Sequence, residues 1–235
     1  MSLQTGVAER TRRDVAPSRW QGEVSLGIRD DLDQLHAEIA ICRRCAEAGY
    51  PIQGRPILGG DGPRRVMLVG QAPGRREADG GQAFMGPAGR RLFAWLARIG
   101  IDETDFRQQV YVTAVTKCYP GPSPGGHGDR LPSTAERALC RLFLDRQVEL
   151  VDPSLVILVG QLAIETMLGK IRLADAVGRG FERDGRGWLP LPHPSGASTW
   201  LNQPTHQALL SRALALLHKS NLIQTTEAAP PISRR

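Results

Sequence analysis

Short apolar runs alternate with amphipathic stretches along most of the chain. Runs rich in β-branched and aliphatic residues predict strands at 65–70, 110–115, 155–160 and 187–191. The first and third are apolar without alternation, which is typical of strands covered on both faces. Apolar positions at helical spacing predict helices at 31–43, 88–99, 133–150, 161–168 and 205–217. Ser133 and Glu136 form a capping-box pattern that predicts where the third of these begins.

This order of strands and helices predicts an α/β fold. We expect a three-layer α/β/α sandwich around a short, mainly parallel four-stranded sheet. Ligands of such sheets bind beyond the carboxyl ends of the strands. The loops that follow the strands are therefore where site residues should lie, namely 71–86, 116–131, the segment from 161 onward, and 193–202.

The two ends of the chain differ in composition from the part between them. Residues 1–28 are polar and Arg-rich without a period, and 220–235 read as a Pro-ended tail, so both are predicted to be poorly ordered. This leaves a single domain at 29–219. No apolar run approaches the roughly 20 residues that cross a bilayer, and the first residues have no apolar core of a secretion signal. We expect a cytoplasmic monomer that does not contact a membrane.

The positive charge of the chain is concentrated in one stretch. The 235 residues carry 30 Lys plus Arg against 24 Asp plus Glu, a formal charge of +6. Seven Arg lie between Arg64 and Arg98, against only Glu77 and Asp79. Such a field is typical of proteins that bind nucleic acid, although solvated Arg on a surface would give the same count.

The chain has four cysteines, which is the number that a four-thiolate metal site needs. Cys42 and Cys45 form a CxxC near a helix end, Cys118 follows a strand, and Cys140 lies in a helix. In a protein that is not exported, a disulfide framework is disfavoured. The spacing is compatible with zinc, with a [4Fe-4S] cluster, or with unconnected reduced thiols in the core.

Two loops carry the candidate chemistry. GQAPG at 70–74 and GGQAFMGPAG at 80–89 follow the first strand, and they match neither a Walker loop nor a dinucleotide-binding turn. Their glycines let a flat ligand approach the backbone, and Phe84 is placed to stack on an aromatic ring, unless it anchors the loop in the core. HPSG at 193–196 follows the fourth strand. His193 is held between two prolines, where an imidazole N–H can stabilise a developing anion or satisfy a loop carbonyl.

Together these motifs resemble those of the uracil-DNA glycosylase superfamily, in particular its iron-sulfur branches, families four and five. GQAPG resembles the first motif, GGQAFMGPAG the G-x-x-F-x-G-x-A-G pattern, YVTAVTKC the stretch around a cluster cysteine, and HPSG the second motif. The resemblance spans about residues 40–217. It implies a monofunctional glycosylase that flips uracil or a related deaminated base out of DNA and hydrolyses its glycosidic bond.

The resemblance also implies roles for individual residues. Phe84 would stack on the flipped base, and His193 would hydrogen-bond its oxygen. The backbone of Gly70, Ala72 and Gly74 would line the pocket with Gln71 near the attacking water. Ser195, Gly196, Trp200 and Leu201 would approach the duplex, with Trp200 or Leu201 as a wedge and Arg75 and Arg76 on phosphates. Cys42, Cys45, Cys118 and Cys140 would hold a structural [4Fe-4S] cluster, with zinc as the other occupant.

Two positions depart from family four. Gln71 replaces its Glu, and an amide cannot act as a general base, so Glu77 or Asp79 is a candidate for handling the water. Ala114 stands where family four has an Asn that reads pyrimidines, and its loss predicts relaxed base selectivity. Because both changes would also suit a protein without activity, an iron-sulfur protein that binds DNA or senses damage is the alternative. A zinc-stabilised α/β protein that acts on nucleotides is a third reading.

Overall fold

A computed structural model of the chain describes residues 21–62, 64–125, 128–196 and 199–224. Five strands form its sheet: β1 (Val66–Gly70), β2 (Val110–Ala114), β3 (Leu155–Val159), β4 (Phe181–Arg183) and β5 (Arg186–Leu191). The helices are α1 (Gln21–Ala40), α2 (Arg44–Glu47), α3 (Arg75–Gly80), α4 (Pro87–Ala97), α5 (Glu103–Gln109), α6 (Thr134–Val151), α7 (Gln161–Leu168), α8 (Leu173–Ala176) and α9 (Pro204–Ser220).

The strand order is β2-β1-β3-β5-β4. The four predicted strands are mutually parallel, and β4 pairs antiparallel with β5 at the edge. The sheet therefore has five strands, one more than the four predicted, and the additional strand is β4. β4 has only three residues, two of them charged, so it carries no apolar run that sequence reading could detect.

Alternate residues of the central strands face two separate cores, which confirms the three-layer α/β/α arrangement. Val66 and Leu68 of β1 pack toward α4, α5 and α9, whereas Met67 and Val69 pack toward α1, α6 and α7. β1 is buried at every position, because helices cover both of its faces. The capping box at Ser133 and Glu136 is present and begins α6.

The chain ends differ in part from the predicted boundaries. Helix α1 begins at Gln21, within the segment that the sequence predicts to be poorly ordered, and its later part packs on α6 through Leu32, Leu35 and Ile39. Helix α9 extends to Ser220. Residues 1–20 and 225–235 lie outside the described residues. Within the described part of the chain, no helix combines the length and apolarity that crossing a membrane requires.

Candidate active site

A cleft of about 720 Å³ opens at the carboxyl ends of β1, β2 and β5. Its walls come from 70–77, 83–88, 113–116, 128–131 and 193–196. The chain leaves β1 toward β2 on one side and later continues with β3 on the other side. The cleft therefore opens where the connections diverge, which is where open α/β sheets bind ligands.

The Phe84 loop is held in a fixed conformation on one wall of the cleft. Phe84 has a left-handed backbone with φ of 58°. Arg107 of α5 donates from Nη1 to the Ala83 carbonyl at 3.0 Å and from Nη2 to the Phe84 carbonyl at 3.3 Å. A Cβ at Gly89 would lie 1.7 Å from that same Phe84 oxygen, so only glycine allows α4 to pass this close. The Phe84 ring lies against Gly70, where a Cβ would be 3.4 Å from Cζ.

His193 follows β5 on another wall and has a defined tautomer. The Ser195 backbone N–H donates to His193 Nδ1 at 3.2 Å, so the neutral ring carries its proton on Nε2. Burial lowers the pKa of His193, while the charge of Asp129 partly opposes that effect. Gly160, with φ of 89°, supports the ring, because a Cβ there would come within 3.1 Å of it. The imidazole is therefore a neutral Nε2–H donor at pH 7.

Two carboxylates converge on Gly74 inside the cleft. A Cβ at Gly74 would lie 2.6 Å from Glu77 Oε2 and 2.9 Å from Asp129 Oδ2, so a side chain there would displace one of the two carboxylates. Glu77 is buried, and its Oε1 accepts the Gly86 N–H at 3.0 Å. Asp129 is exposed to the cleft beside Tyr119. Asp79 is exposed on α3 and does not line the cleft.

Sequence reading missed Asp129 and Arg107. Asp129 lies in a long Gly/Pro-rich loop that resembles a surface excursion, and its isolated pairing with Pro122 brings it back to the cleft. Arg107 lies in a short helix far along the chain from the loop that it holds. The sequence did carry one indication of Asp129: it stands next to Arg130 at the end of the loop that follows β2, where site residues are expected.

The remaining predicted pocket residues lie together. Gly70, Gln71, Ala72, Gly74 and Ala114 all line the cleft. Gly70 of β1 is directly opposite Ala114 of β2 in the sheet. The backbone carbonyl after β1, on Gln71, accepts the Thr116 N–H at 3.3 Å. The two strand ends are therefore joined where a ligand would lie.

The predicted DNA-contacting residues divide into two groups. Ser195, Gly196, Arg75 and Arg76 line the cleft, and Arg91 donates to the Ser195 carbonyl at 2.8 Å. Trp200 and Leu201 do not line the cleft, because both pack against the core from a 3₁₀ turn at Trp200–Asn202. The Trp200 ring also stacks on His206 with centroids 4.1 Å apart.

Leu131 is an exposed apolar side chain at the rim of the cleft. It is 59% exposed. Its neighbour Arg130 donates to the Pro120 carbonyl at 2.6 Å. Arg130 also forms a bidentate salt bridge with Glu136, with both hydrogen bonds at 2.7 Å. Hydrogen bonding to Arg130 is the main reason that the pKa of Glu136 falls to about 2. The backbone beneath Leu131 is thus braced against α6.

The four cysteines line one cavity on the α1 side of the sheet. Cys42 follows α1, Cys45 lies in α2, Cys118 follows β2, and Cys140 lies in α6. None of them is in a disulfide. Burial, followed by the neighbouring thiols, raises the pKa of Cys45 to about 11 and of Cys118 to about 12. In the described part of the chain, no group of three or more His, Cys, Asp or Glu is arranged to hold a metal ion.

Comparison with known proteins gives consistent matches. A family model described as the uracil DNA glycosylase superfamily matches residues 58–218. A type-4 uracil-DNA glycosylase of Archaeoglobus fulgidus is 33% identical over 58% of this chain and 63% of its own. One from Thermotoga maritima is 28% identical over 65% and 77%. A type-5 uracil-DNA glycosylase of Mycobacterium bovis is 32% identical over 64% and 58%. The chain thus spans under two thirds of the Archaeoglobus and Mycobacterium relatives.

Proposed function

Because the chain belongs to the uracil-DNA glycosylase superfamily, we propose that it is a monofunctional DNA glycosylase. It removes uracil or a related deaminated base by hydrolysis and leaves an abasic site for base excision repair. The observation that carries this proposal is the cleft that combines Phe84 with the Nε2–H of His193.

The base enters the cleft after it leaves the duplex, since a glycosidic bond inside the stack is out of reach. Phe84 stacks on one face of the base: Arg107 holds the Phe84 backbone carbonyl, and the ring lies against Gly70. As the glycosidic bond breaks, negative charge develops on the base oxygens. The Nε2–H of His193 stabilises that charge, and its burial strengthens the interaction.

The attacking water is handled from the Gly74 side of the cleft. Gln71 can orient a water but cannot accept its proton. Asp129 is the better carboxylate for that role, because it is exposed to the cleft, whereas Glu77 is buried and accepts the Gly86 N–H. Asp79, which the sequence offered as an alternative, lies outside the cleft. Ala114 presents no polar group to the base, which supports acceptance of hypoxanthine or xanthine as well as uracil.

A Schiff-base step is not part of this mechanism. Lys117, the lysine closest in sequence to the motifs, is buried and lines the cysteine cavity. Its Nζ donates to Thr113 Oγ1 at 2.9 Å and to the Ala114 carbonyl. The Lys117 amine is therefore held by residues of β2 and is not available to attack the sugar.

DNA binds across the mouth of the cleft. Arg75 and Arg76 contact phosphates, and Ser195 and Gly196 approach the backbone next to the extruded nucleotide. Trp200 and Leu201 are engaged in packing. The exposed Leu131, on its braced loop, is therefore the side chain best placed to fill the gap that the base leaves.

We propose that the four cysteines would hold a [4Fe-4S] cluster. They line one cavity, none is in a disulfide, and their raised thiol pKa values mean that a metal must displace the protons. Zinc is the other occupant that four thiolates could hold. Bound there, a cluster would cross-link the segments that follow α1 and β2 to α2 and α6. The protein is a monomer in the cytoplasm of a bacterial or archaeal cell.

Duplex oligonucleotides with one uracil, hypoxanthine or xanthine test the proposal when excision is followed by alkaline cleavage. We expect strand cleavage at one or more of these bases. Retained binding with no cleavage of any base would instead favour a DNA-binding or damage-sensing protein, which the amide at Gln71 would suit.

A further inference from the structure

Thr116 has a polar atom that the fold does not satisfy. The residue lines the cleft and is only 5% exposed. Its Oγ1 is buried and has no hydrogen-bond partner among the described residues. A hydroxyl that is removed from water without a partner destabilises the protein. Its presence at a site wall therefore points to a partner that is not part of the chain.

Thr113, three residues earlier, is a buried threonine whose hydroxyl does have hydrogen-bond partners within the protein. Thr113 Oγ1 donates to Gln147 Oε1 at 2.9 Å and accepts from Lys117 Nζ at 2.9 Å. Both threonines line the cleft and both are buried. Only Thr113 has its hydroxyl used by the protein, so the unpaired hydroxyl is particular to position 116.

The backbone presents Thr116 on the same wall as Ala114. Side chains alternate at the end of a strand, and Val115 between them packs in the core against α6. The Thr116 N–H donates to the Gln71 carbonyl, which fixes the backbone of this wall beside the first-strand loop. Ala114 carries no polar group, so Thr116 is the hydroxyl that this wall can offer to a base.

We propose that Thr116 Oγ1 donates a hydrogen bond to a carbonyl oxygen of the extruded base. This contact rests on the proposed glycosylase function. Deamination replaces an exocyclic amine with a carbonyl, so every base in the proposed substrate class carries such an acceptor. His193 Nε2–H approaches from β5, and Thr116 provides a second donor from β2. The contact increases affinity for carbonyl-bearing bases as a class and does not choose between uracil and hypoxanthine.

The test compares Thr116→Val with Thr116→Ser, because valine keeps the shape and removes the hydroxyl. For Thr116→Val we expect kcat/KM on uracil-containing DNA to fall by about 5- to 10-fold. Its Tm should rise by about 2–4 °C, since an unsatisfied buried group is removed. Thr116→Ser should keep the kcat/KM of the original protein. Thr166→Val is the matched control: Thr166 Oγ1 donates to the Leu162 carbonyl within α7, away from the cleft, so kcat/KM should not change.

A rise in Tm together with a loss of kcat/KM would support the contact, whereas a purely structural threonine would not lower kcat/KM. Unchanged kcat/KM in Thr116→Val would overturn the Thr116 proposal and leave the proposed function in place. If the original protein excises no base, the proposed function fails, and binding of free uracil and free hypoxanthine decides the contact. Tighter binding to the original protein than to Thr116→Val would support it, and equal or absent binding would overturn it.

Discussion

His193 acts as a neutral hydrogen-bond donor because the fold determines both its tautomer and its charge. The Ser195 N–H occupies Nδ1, and burial keeps the ring from taking up a proton. A protonated ring would present a second N–H to the Ser195 N–H and lose that hydrogen bond. The proposed activity therefore requires the neutral imidazole.

The pH dependence of kcat/KM tests this state of His193. A folded pKa below the ordinary 6.5 means that the neutral ring persists as the pH falls through that value. We expect kcat/KM to hold from pH 8 to about 6.5 and to decline only below it. The acid limb should be absent from the residual activity of His193→Asn. Loss of activity with a midpoint above 6.5, sensitive to His193→Asn, would contradict the account.

Asp129 and Asp79 form a natural pair for testing the water-handling role. Asp129 faces the cleft beside Gly74, and Asp79 is exposed outside it. Asp129→Asn should lower kcat by about 10²-fold, because the amide cannot accept a proton. Asp79→Asn should leave single-turnover excision unchanged. The opposite order of effects would assign the water to Asp79.

The sequence predicts most of the long helices and the central strands, but it does not predict the residues that hold the site in place. Helix α7 has the predicted bounds and the central strands differ from theirs by a residue or so, because their apolar runs are continuous. The edge strand β4 is short and polar, and α5 is a seven-residue helix, so neither has a long pattern. Arg107 reaches the Phe84 loop, and Asp129 reaches the cleft, through contacts between distant parts of the sequence that no local periodicity predicts.

Leu131 provides the prediction at this scale, because its loop is braced on α6 by Arg130 and Glu136. Leu131→Ala should slow excision from duplex DNA by about tenfold while single-stranded DNA is processed as before, since only a duplex needs the gap filled. Leu142→Ala is the control: Leu142 is 51% exposed on α6 and does not line the cleft. Equal losses on single and double strands, or none on duplex, would remove Leu131 from the wedge role.

The arginines of the Arg-rich stretch lie in different surroundings. Of the Arg-rich stretch, Arg75 and Arg76 line the cleft and Arg91 holds the Ser195 carbonyl. Arg98 instead donates to Ser211 Oγ on α9 at 2.8 Å. Part of the Arg-rich stretch therefore lies at the cleft, where phosphate binding is proposed, and Arg91 and Arg98 are instead used in contacts within the protein.

A buried polar residue connects the cysteine cavity to the cleft. Lys117 connects them, since it lines the cavity and bonds the Ala114 carbonyl. Anaerobically purified protein should absorb visible light and contain iron and sulfide, and Cys118→Ser and Cys140→Ser should lose both and melt at a lower temperature. A colourless protein with stoichiometric zinc would defeat the cluster assignment.

Single-turnover excision shows whether this cleft hydrolyses the glycosidic bond of a deaminated base. The measurement uses a uracil-containing duplex with the original protein and with His193→Ala, alongside DNA affinity. The account predicts excision by the original protein and a rate lower by about 10²- to 10³-fold in His193→Ala at nearly unchanged affinity. Equal rates in the two proteins, or no excision by either, would contradict it.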